Sequence, residues 1–431
     1  LNAAVLHNGP IIAAPGFNAP TAAMRLIGSG IVAFGVFLSG FVISEPAPYE
    51  LMMVGQVAIW FLLGLRISRQ VAPLLALLIV FNVGGMLSLT MMDKDFGDGL
   101  LYIAVSTFLA LTAVFYAAII EDSHTRLRLI YRAWVAAAII TALLGILGYF
   151  HAFPGADVFT RFDRAKGAFE DPNVFGPFLV VPSLYLMHGL LTQKLRFAPL
   201  RIAGLLVLSL GVFLSFSRAA WGLFLFSTVM LVFVMLLKER TGAFRLKILL
   251  LSLAAIVLMV AALLVALQFE QVSSLFSNRT RLVQDYDGGH LGRFARHRIG
   301  FQMAMEYPLG IGPMVFSTIF PEAEHNIWLK TLTTHGWLGF VTYAALTIWT
   351  LAAGFRLLLR ERPWQPFLMI AWIVFLGHVL IGNVIDTDHW RHFFLLLGIV
   401  WGCVALEHRH NRTPERSVKR NGQFPLPSGT N

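Results

Sequence analysis

Four short stretches of the chain carry side chains that could hold an anion beside a base. They are "TRFDRAKGAFEDPNVFG" at 160–176, "SFSRAAW" at 215–221, "HLGRFARHRIGFQMAME" at 290–306 and "PEAEHNIWLKTLTTHGWLGF" at 321–340. Between them they supply Arg164, Lys166, Arg218, Arg293, Arg296, His325 and Asn326. Guanidinium forks bind phosphate oxygens bidentately. A neutral imidazole accepts a proton near neutral pH.

Each stretch has a plainer reading beside the chemical one. Asp171 before Pro172 is an N-cap with proline at the first helical position, so Asp171 and Asn173 are read as capping. Arg164 and Lys166 have no acidic neighbour closer in sequence than Asp163, which leaves them for a phosphate. Arg218 lies in a tight turn at the membrane boundary, where an arginine either faces a cavity or anion or snorkels to headgroups. Arg293, Arg296 and His297 fall within about one helical turn and either converge on one anion or form a solvated face on headgroups. Arg298 falls on the apolar side and is read as snorkelling.

His325 and Asn326 stand at the N-terminus of an apolar run, where the positive end of the helix dipole disfavours an imidazolium. Lys330, one turn on, either pairs with Glu324 or points at the same cavity. His335, further in, is read as packing. Asp386-Thr387-Asp388 beside His389, and Asp285-Tyr286-Asp287, have the look of cation sites. Such short patterns arise by chance, and arginines in place of a metal are the preferred reading, with no metal or other cofactor expected.

These residues must be positioned by a membrane protein. Of the 431 residues, 57% are hydrophobic and only 13% charged, and the mean hydropathy is +0.72; a soluble domain has no such composition. Twelve apolar runs recur, at about 22–44, 51–65, 71–91, 100–120, 133–150, 174–192, 202–216, 219–237, 248–268, 326–355, 367–385 and 391–406. The second, seventh and twelfth are short for a full crossing, which takes roughly 20 residues. The runs lack period-2 alternation, and in lipid only helices or closed barrels satisfy their own backbone. The expected fold is an all-α polytopic membrane protein of about twelve transmembrane helices. Cys403 is the single cysteine, so no internal disulfide forms.

The stretch before Met24 holds no Lys or Arg, hence no charged n-region of a cleavable signal, and the first span is expected to serve as its own insertion signal. Placing both termini in the cytoplasm puts 20 of the 33 basic residues in inner breaks and the tail, as the positive-inside rule asks. The net charge of +10 is therefore a topology signal, not a sign of nucleic-acid binding. The organisation expected is spans one to nine over 1–268, with a basic outer loop at 151–173. A long, partly helical outer loop follows at 269–324, then spans ten to twelve over 325–406. A basic cytoplasmic tail at 407–431 is expected to touch anionic lipid. Apart from Lys94, basic residues that break the charge rule by lying outside cluster at 161–166, at 218 and across 279–298. An anionic ligand at the outer face is the simplest reason for them.

The pieces "RAKGAFEDPNVFG" at 164–176, "FSRAAW" at 216–221, "GRFARH" with "PLGIGPMVF" across 292–316, and "HNIWLKTLTTHGWLGF" at 325–340 together resemble the O-antigen ligase and polymerase superfamily of bacterial membrane glycan transferases. The resemblance covers about a third of the chain. It implies a periplasmic cavity for an undecaprenyl-diphosphate-linked glycan, with Arg164, Arg218 and Arg293 on the diphosphate and His325 activating the acceptor hydroxyl. It ranks Arg293 above Arg296. It implies an inner-membrane enzyme that moves O-antigen to lipid A-core, inverting and without a metal. A polymerase or a protein O-oligosaccharyltransferase of the same superfamily stays open, as does a transporter or flippase of an anionic lipid-linked glycan. Twelve spans in one chain suffice for a complete cavity, so a monomer is expected.

Overall fold

The computed structural model describes residues 19–421 apart from 65, 194, 239–240, 281–291 and 321. Five helices come first: α1 (Ala19–Leu38), α2 (Pro48–Leu62), α3 (Ala72–Leu89), α4 (Phe96–Asp122) and α5 (Thr125–Tyr149). The loop after α5, the outer loop of the charge-based assignment, then forms a hairpin of two-residue strands, β1 (Thr160–Arg161) with β2 (Arg164–Ala165). It leads into α6 (Pro172–Phe178) and α7 (Val180–Thr192). Next come α8 (Ala198–Leu214), α9 (Arg218–Lys238), α10 (Gly242–Ala266) and α11 (Glu270–Thr280). The chain closes with α12 (Arg293–Glu306), α13 (Val315–Ile319), α14 (Ile327–Phe355), α15 (Gln365–Ile381) and α16 (Arg391–Asn421).

The molecule is an all-α polytopic membrane protein. Each of the twelve apolar runs overlaps helix, with 174–192 divided between α6 and α7 and with 22–44 and 367–385 outlasting α1 and α15. Among the described residues, seven helical stretches are long and apolar enough to cross a membrane: α3, α4, α5, α6 with α7, α9, α14 and Arg391–Arg412 of α16. Shorter apolar helices are Ile27–Leu38, α8 and α15. The run at 391–406, short by sequence, starts the most enclosed of these spans, with 89% of its window buried. It packs on α4 through Gly398 and Gly402. A Cβ at these glycines would come within 2.6 Å of Tyr116 Cβ and 2.8 Å of Ile120 Cβ, so small residues here let two backbones approach as membrane helix pairs require.

Basic residues assigned to the inner side gather at one end of the bundle and cap helix C-termini. Arg126 donates to the Ile119 carbonyl (2.7 Å) and Arg409 to that of Glu121 (3.0 Å), both at the end of α4. Arg201 reaches Gly189 O and Lys247 reaches Leu191 O at the end of α7. Carbonyls at a helix C-terminus lack intrahelical donors and carry partial negative charge, which cations offset. Arg360 and Arg362 both bind Glu407 there, at 2.9 Å.

The opposite end is organised by a break in α14. Gly336 has φ 64° and ψ −171°, a region essentially confined to glycine. The break parts Trp337 N from Thr333 O, partners in a regular helix. Both are taken up by the returning loop: Trp337 N donates to Pro308 O (2.9 Å), and Ile311 N donates to Thr333 O (2.7 Å). The loop backbone is thus spliced into the helix, and α12 is held against its outer half. Trp337 Nε1 adds a bond to Ala304 O at 3.2 Å.

The sequence of α12 reads as an amphipathic helix, with Leu291, Phe294, Phe301 and Met305 at spacings near 3 and 4; the protein leaves Phe301 and Met305 exposed. Leu291 lies outside the described residues, as does the Phe294 side chain. The buried face is Arg296, Gly300 and Ala304. A Cβ on Gly300 would lie 2.9 Å from Phe316 and 3.0 Å from Leu329. Close approach to α13 and α14 favours small residues on this face.

Gly336→Ala should lower stability by about 2 kcal/mol, because its Cβ would meet Leu309 and Pro308 backbone atoms at 2.6–2.7 Å. Gly222→Ala on α9, with nothing within 4 Å of its Cβ, should be neutral or slightly stabilising. Thermal midpoints of the two variants in the same detergent check this; equal midpoints would sink the splice argument.

Candidate functional site

The end of the bundle bearing the splice contains a cavity of about 250 Å³. Its wall is drawn from the α1–α2 loop (Glu45), α4 (Tyr102), the outer loop (Phe169, Glu170, Asp171), α14 (Lys330) and the segment from Asp386 to Arg391. These elements are tied to one another locally. Val42 N donates to Ala168 O (2.6 Å), joining the α1–α2 loop to the outer loop. Ile327 N donates to Gly382 O (2.7 Å), joining the start of α14 to the end of α15.

His325 stands just before α14 in the left-handed region, φ 48°, an uncommon conformation for a residue with a side chain. Its backbone N–H donates to Asp386 Oδ2 (3.3 Å), and its Nδ1 lies 3.9 Å from the same oxygen. Asp386 Oδ1 is buried without a hydrogen-bond partner. Asn326 is the N-cap of α14: its Oδ1 accepts from Trp328 N and Leu329 N, and its Nδ2 donates to Asn383 O.

Lys330 is not paired with Glu324. Its Nζ lies 3.6 Å from Asp386 and 3.7 Å from Asp388, over the Tyr102 ring. Asp388 also accepts from Tyr102 Oη and from His389 Nδ1, the latter at 3.0 Å. Burial alone would raise the Asp388 carboxyl, but Lys330, His389 and these hydrogen bonds outweigh it and hold it well below the usual carboxylate range. Glu324 instead accepts from Thr333 Oγ1 at 2.7 Å. Burial, opposed by Lys330 and assisted by Asp386, raises its carboxyl. Arg391 is held by Glu50 (2.5 Å) and Glu45 (2.8 Å).

Among the residues singled out by sequence, Arg164 is buried, donating to Ser215 O (2.7 Å) and Asn173 Oδ1 (2.8 Å). It therefore latches the hairpin onto the α8–α9 turn that leads into Arg218. Asp171 caps α6 as expected, accepting from Asn173 N at 2.6 Å. Lys166 is half-buried beside Arg161, and burial and that neighbour lower its pKa against Glu170 and Asp171. Arg296 is buried and pairs with Glu322 at 2.6 Å, while its Nε and Nη1 are buried without partners. His297 Nε2 lies 2.8 Å from Glu324 O, one residue from His325. Arg293 opens α12, but its side chain lies outside the described residues, as do Asp285, Tyr286 and Asp287 altogether. His335 is packed, stacked on Phe81 with ring centroids 4.0 Å apart.

Sequence reasoning noted Asp386 and Asp388 as a possible cation site but missed their partner. The Lys330 ammonium stands where a divalent cation would bridge the two carboxylates. Among the described residues no group of three or more His, Cys, Asp or Glu is arranged to hold a metal. Tyr102, Arg391 and Glu45 were also missed. The available signal was charge complementarity: a lysine one turn inside one span facing an acidic segment at the outer end of another.

Residues 203–344 match the family model described as O-antigen ligase. The match runs from α8 into α14 and takes in Arg218, Arg293, Arg296, His325 and Asn326, while Arg164 and Lys166 precede it. The resemblance to the O-antigen ligase superfamily read from the sequence is thereby supported, and with it a glycosyltransferase-like membrane enzyme. No curated protein matches the chain.

Asp388→Asn removes one of the two carboxylates that face Lys330, leaving Asp386, and should lower stability by about 3 kcal/mol, the scale for breaking a buried ion pair. Adding Lys330→Met, which leaves Asp386 without its cation, should cost less than it does in the wild-type background. A double-mutant cycle on thermal midpoints tests it, and strictly additive losses would show that the two groups do not act as a pair.

Proposed function

We propose that this chain transfers O-antigen polysaccharide from undecaprenyl-diphosphate to a sugar hydroxyl of lipid A-core. On this reading it is a twelve-span protein of the bacterial inner membrane, with the cavity facing the periplasm and both termini cytoplasmic. The observation that carries the reading is His325, set in a strained backbone conformation at the end of α14 with Asp386 against both its backbone N–H and its Nδ1. Strain of this kind, on the order of 1–3 kcal/mol, persists where the surroundings hold it and collects at functional sites.

A proton on Nδ1 directed at Asp386 leaves Nε2 as the basic nitrogen. The 3.9 Å separation closes to a hydrogen bond as the acceptor seats, as catalytic contacts in empty sites commonly do. His325 takes the proton of the acceptor hydroxyl while its oxygen attacks the anomeric carbon of the donor. The bond from that carbon to the diphosphate oxygen breaks, and the anomeric centre inverts. Charge then grows on the leaving diphosphate, and Arg164, Lys166, Arg218, Arg293 and Arg296 stabilise it more strongly than in the ground state. Two buried guanidinium nitrogens of Arg296 without partners support its inclusion, although the family resemblance favours Arg293. Asn326 sets the start of α14 and so the direction of His325. No metal takes part, because the cationic work falls to the arginines.

With purified protein, a lipid-linked donor and a lipid A-core acceptor, His325→Ala should cut turnover by on the order of 10²–10⁴-fold while carrier binding persists. A chelator should leave transfer unchanged. Full activity of His325→Ala would favour a flippase that breaks no bond, and glycan joined only to a second carrier-linked chain would indicate a polymerase.

A further inference from the structure

The cavity beside His325 has a charge and a surface that choose its occupant. It is lined by five carboxylates, Glu45, Glu170, Asp171, Asp386 and Asp388, against two basic side chains, Lys330 and Arg391. Both basic groups are already engaged: Lys330 lies between Asp386 and Asp388, and Arg391 bonds Glu45 and Glu50. An anionic group entering this space would meet negative charge at Glu170, which is exposed and offset only by Lys166 from outside the lining, and would find both cations of the lining already engaged. The rest of the wall includes three aromatic rings, Tyr102, Phe169 and Trp390. Such faces pack against the C–H face of a sugar ring, while carboxylates accept from its hydroxyls.

We propose that this cavity is the seat of the acceptor's terminal sugar, and that it selects an uncharged or amino sugar over one bearing carboxylate or phosphate. The assignment to acceptor rather than donor rests on the transferase reading, in which the attacking hydroxyl must reach His325; Asp386 lines the cavity and touches that residue. The selection by charge rests on the lining alone. The diphosphate then belongs with the arginines of the hairpin, the α8–α9 turn and α12, outside this acidic space. Lys330, half-buried and held between two carboxylates, serves as a neutralised part of the wall, not as an anion receptor.

The test is direct binding to the full chain in detergent, by titration calorimetry. The probes are a neutral hexose trisaccharide, the same trisaccharide ending in a hexuronate, and the same ending in a hexosamine. The neutral and amino forms should bind at least ~10-fold more tightly than the uronate, the size expected for one unscreened like charge at close range. Glu170→Lys, on an exposed position of the loop, should shrink that ratio by at least ~5-fold. Equal binding of neutral and acidic probes, an unchanged ratio in Glu170→Lys, or binding of none of the three overturns the proposal. Discrimination by a preparation that transfers nothing would leave the charge selection standing and remove the transferase reading. Transfer without discrimination would do the reverse.

Discussion

A backbone N–H or C=O in hydrocarbon must find a partner within the protein, and the outer end of this molecule is arranged around one place where that demand is hard to meet. At Gly336 the helix α14 breaks, and each of the two groups it releases would carry a penalty of several kcal/mol if left alone. The returning loop supplies both partners, from Pro308 and Ile311. This exchange fixes the loop to the helix at a defined register. It is also why α12 meets the outer half of α14, with Arg296 and His297 brought beside Glu322 and Glu324. His325 follows at once, one residue beyond Glu324.

On this frame the charged groups set directions more than they add stability. Burying an ion pair costs about as much in desolvation as the attraction returns, so the net gain from Lys330 with Asp386 and Asp388 is small. Their effect lies in what they hold. Asp386 faces both Lys330 and His325, which couples the imidazole to the acidic segment between α15 and α16. Asp388 is fixed from three sides, by Lys330, Tyr102 and His389, and so joins α4 to the same segment. A change at Tyr102 on α4 therefore reaches His325 through two carboxylates, with no contact between the two residues required.

The membrane helices were legible because hydropathy over a run of 20 residues is a strong and local signal. The cap at Asp171 was legible for a similar reason, since it depends on its own helix, whereas the packing of His335, against Phe81 of α3, was legible from its place inside an apolar run. The partners of Lys330 were not, although a place at the cavity was one of its two readings: Glu324 is six residues away in sequence, whereas Asp386 and Asp388 are reached only by crossing two helices, and no local rule ranks these partners. The amphipathic spacing of α12 did not say which of its faces meets the protein: Phe301 and Met305 are exposed, while Arg296, Gly300 and Ala304 are buried. The splice at Gly336 left only a glycine and "PLGIGP" as traces, and neither identifies the other as its partner.

An inverting transfer needs the leaving group and the attacking hydroxyl on opposite faces of one carbon, and it needs them not to exchange places. Charge provides the sorting. On the proposed reading the guanidinium groups that serve the diphosphate come from the hairpin, from the α8–α9 turn and from α12, which are separate in sequence; Arg164 of the hairpin is tied to that turn through Ser215 O. The cavity next to His325 is acidic, and its cations are already neutralised. A diphosphate is drawn to the first region and repelled by the second, whereas a neutral sugar gains from the aromatic and carboxylate surface of the second and little from the first. His325 borders the cavity through Asp386, so a base placed there acts on whatever the acidic wall admits. On the proposed function, orientation of the two substrates follows from electrostatic exclusion, without requiring either to be recognised along its whole length.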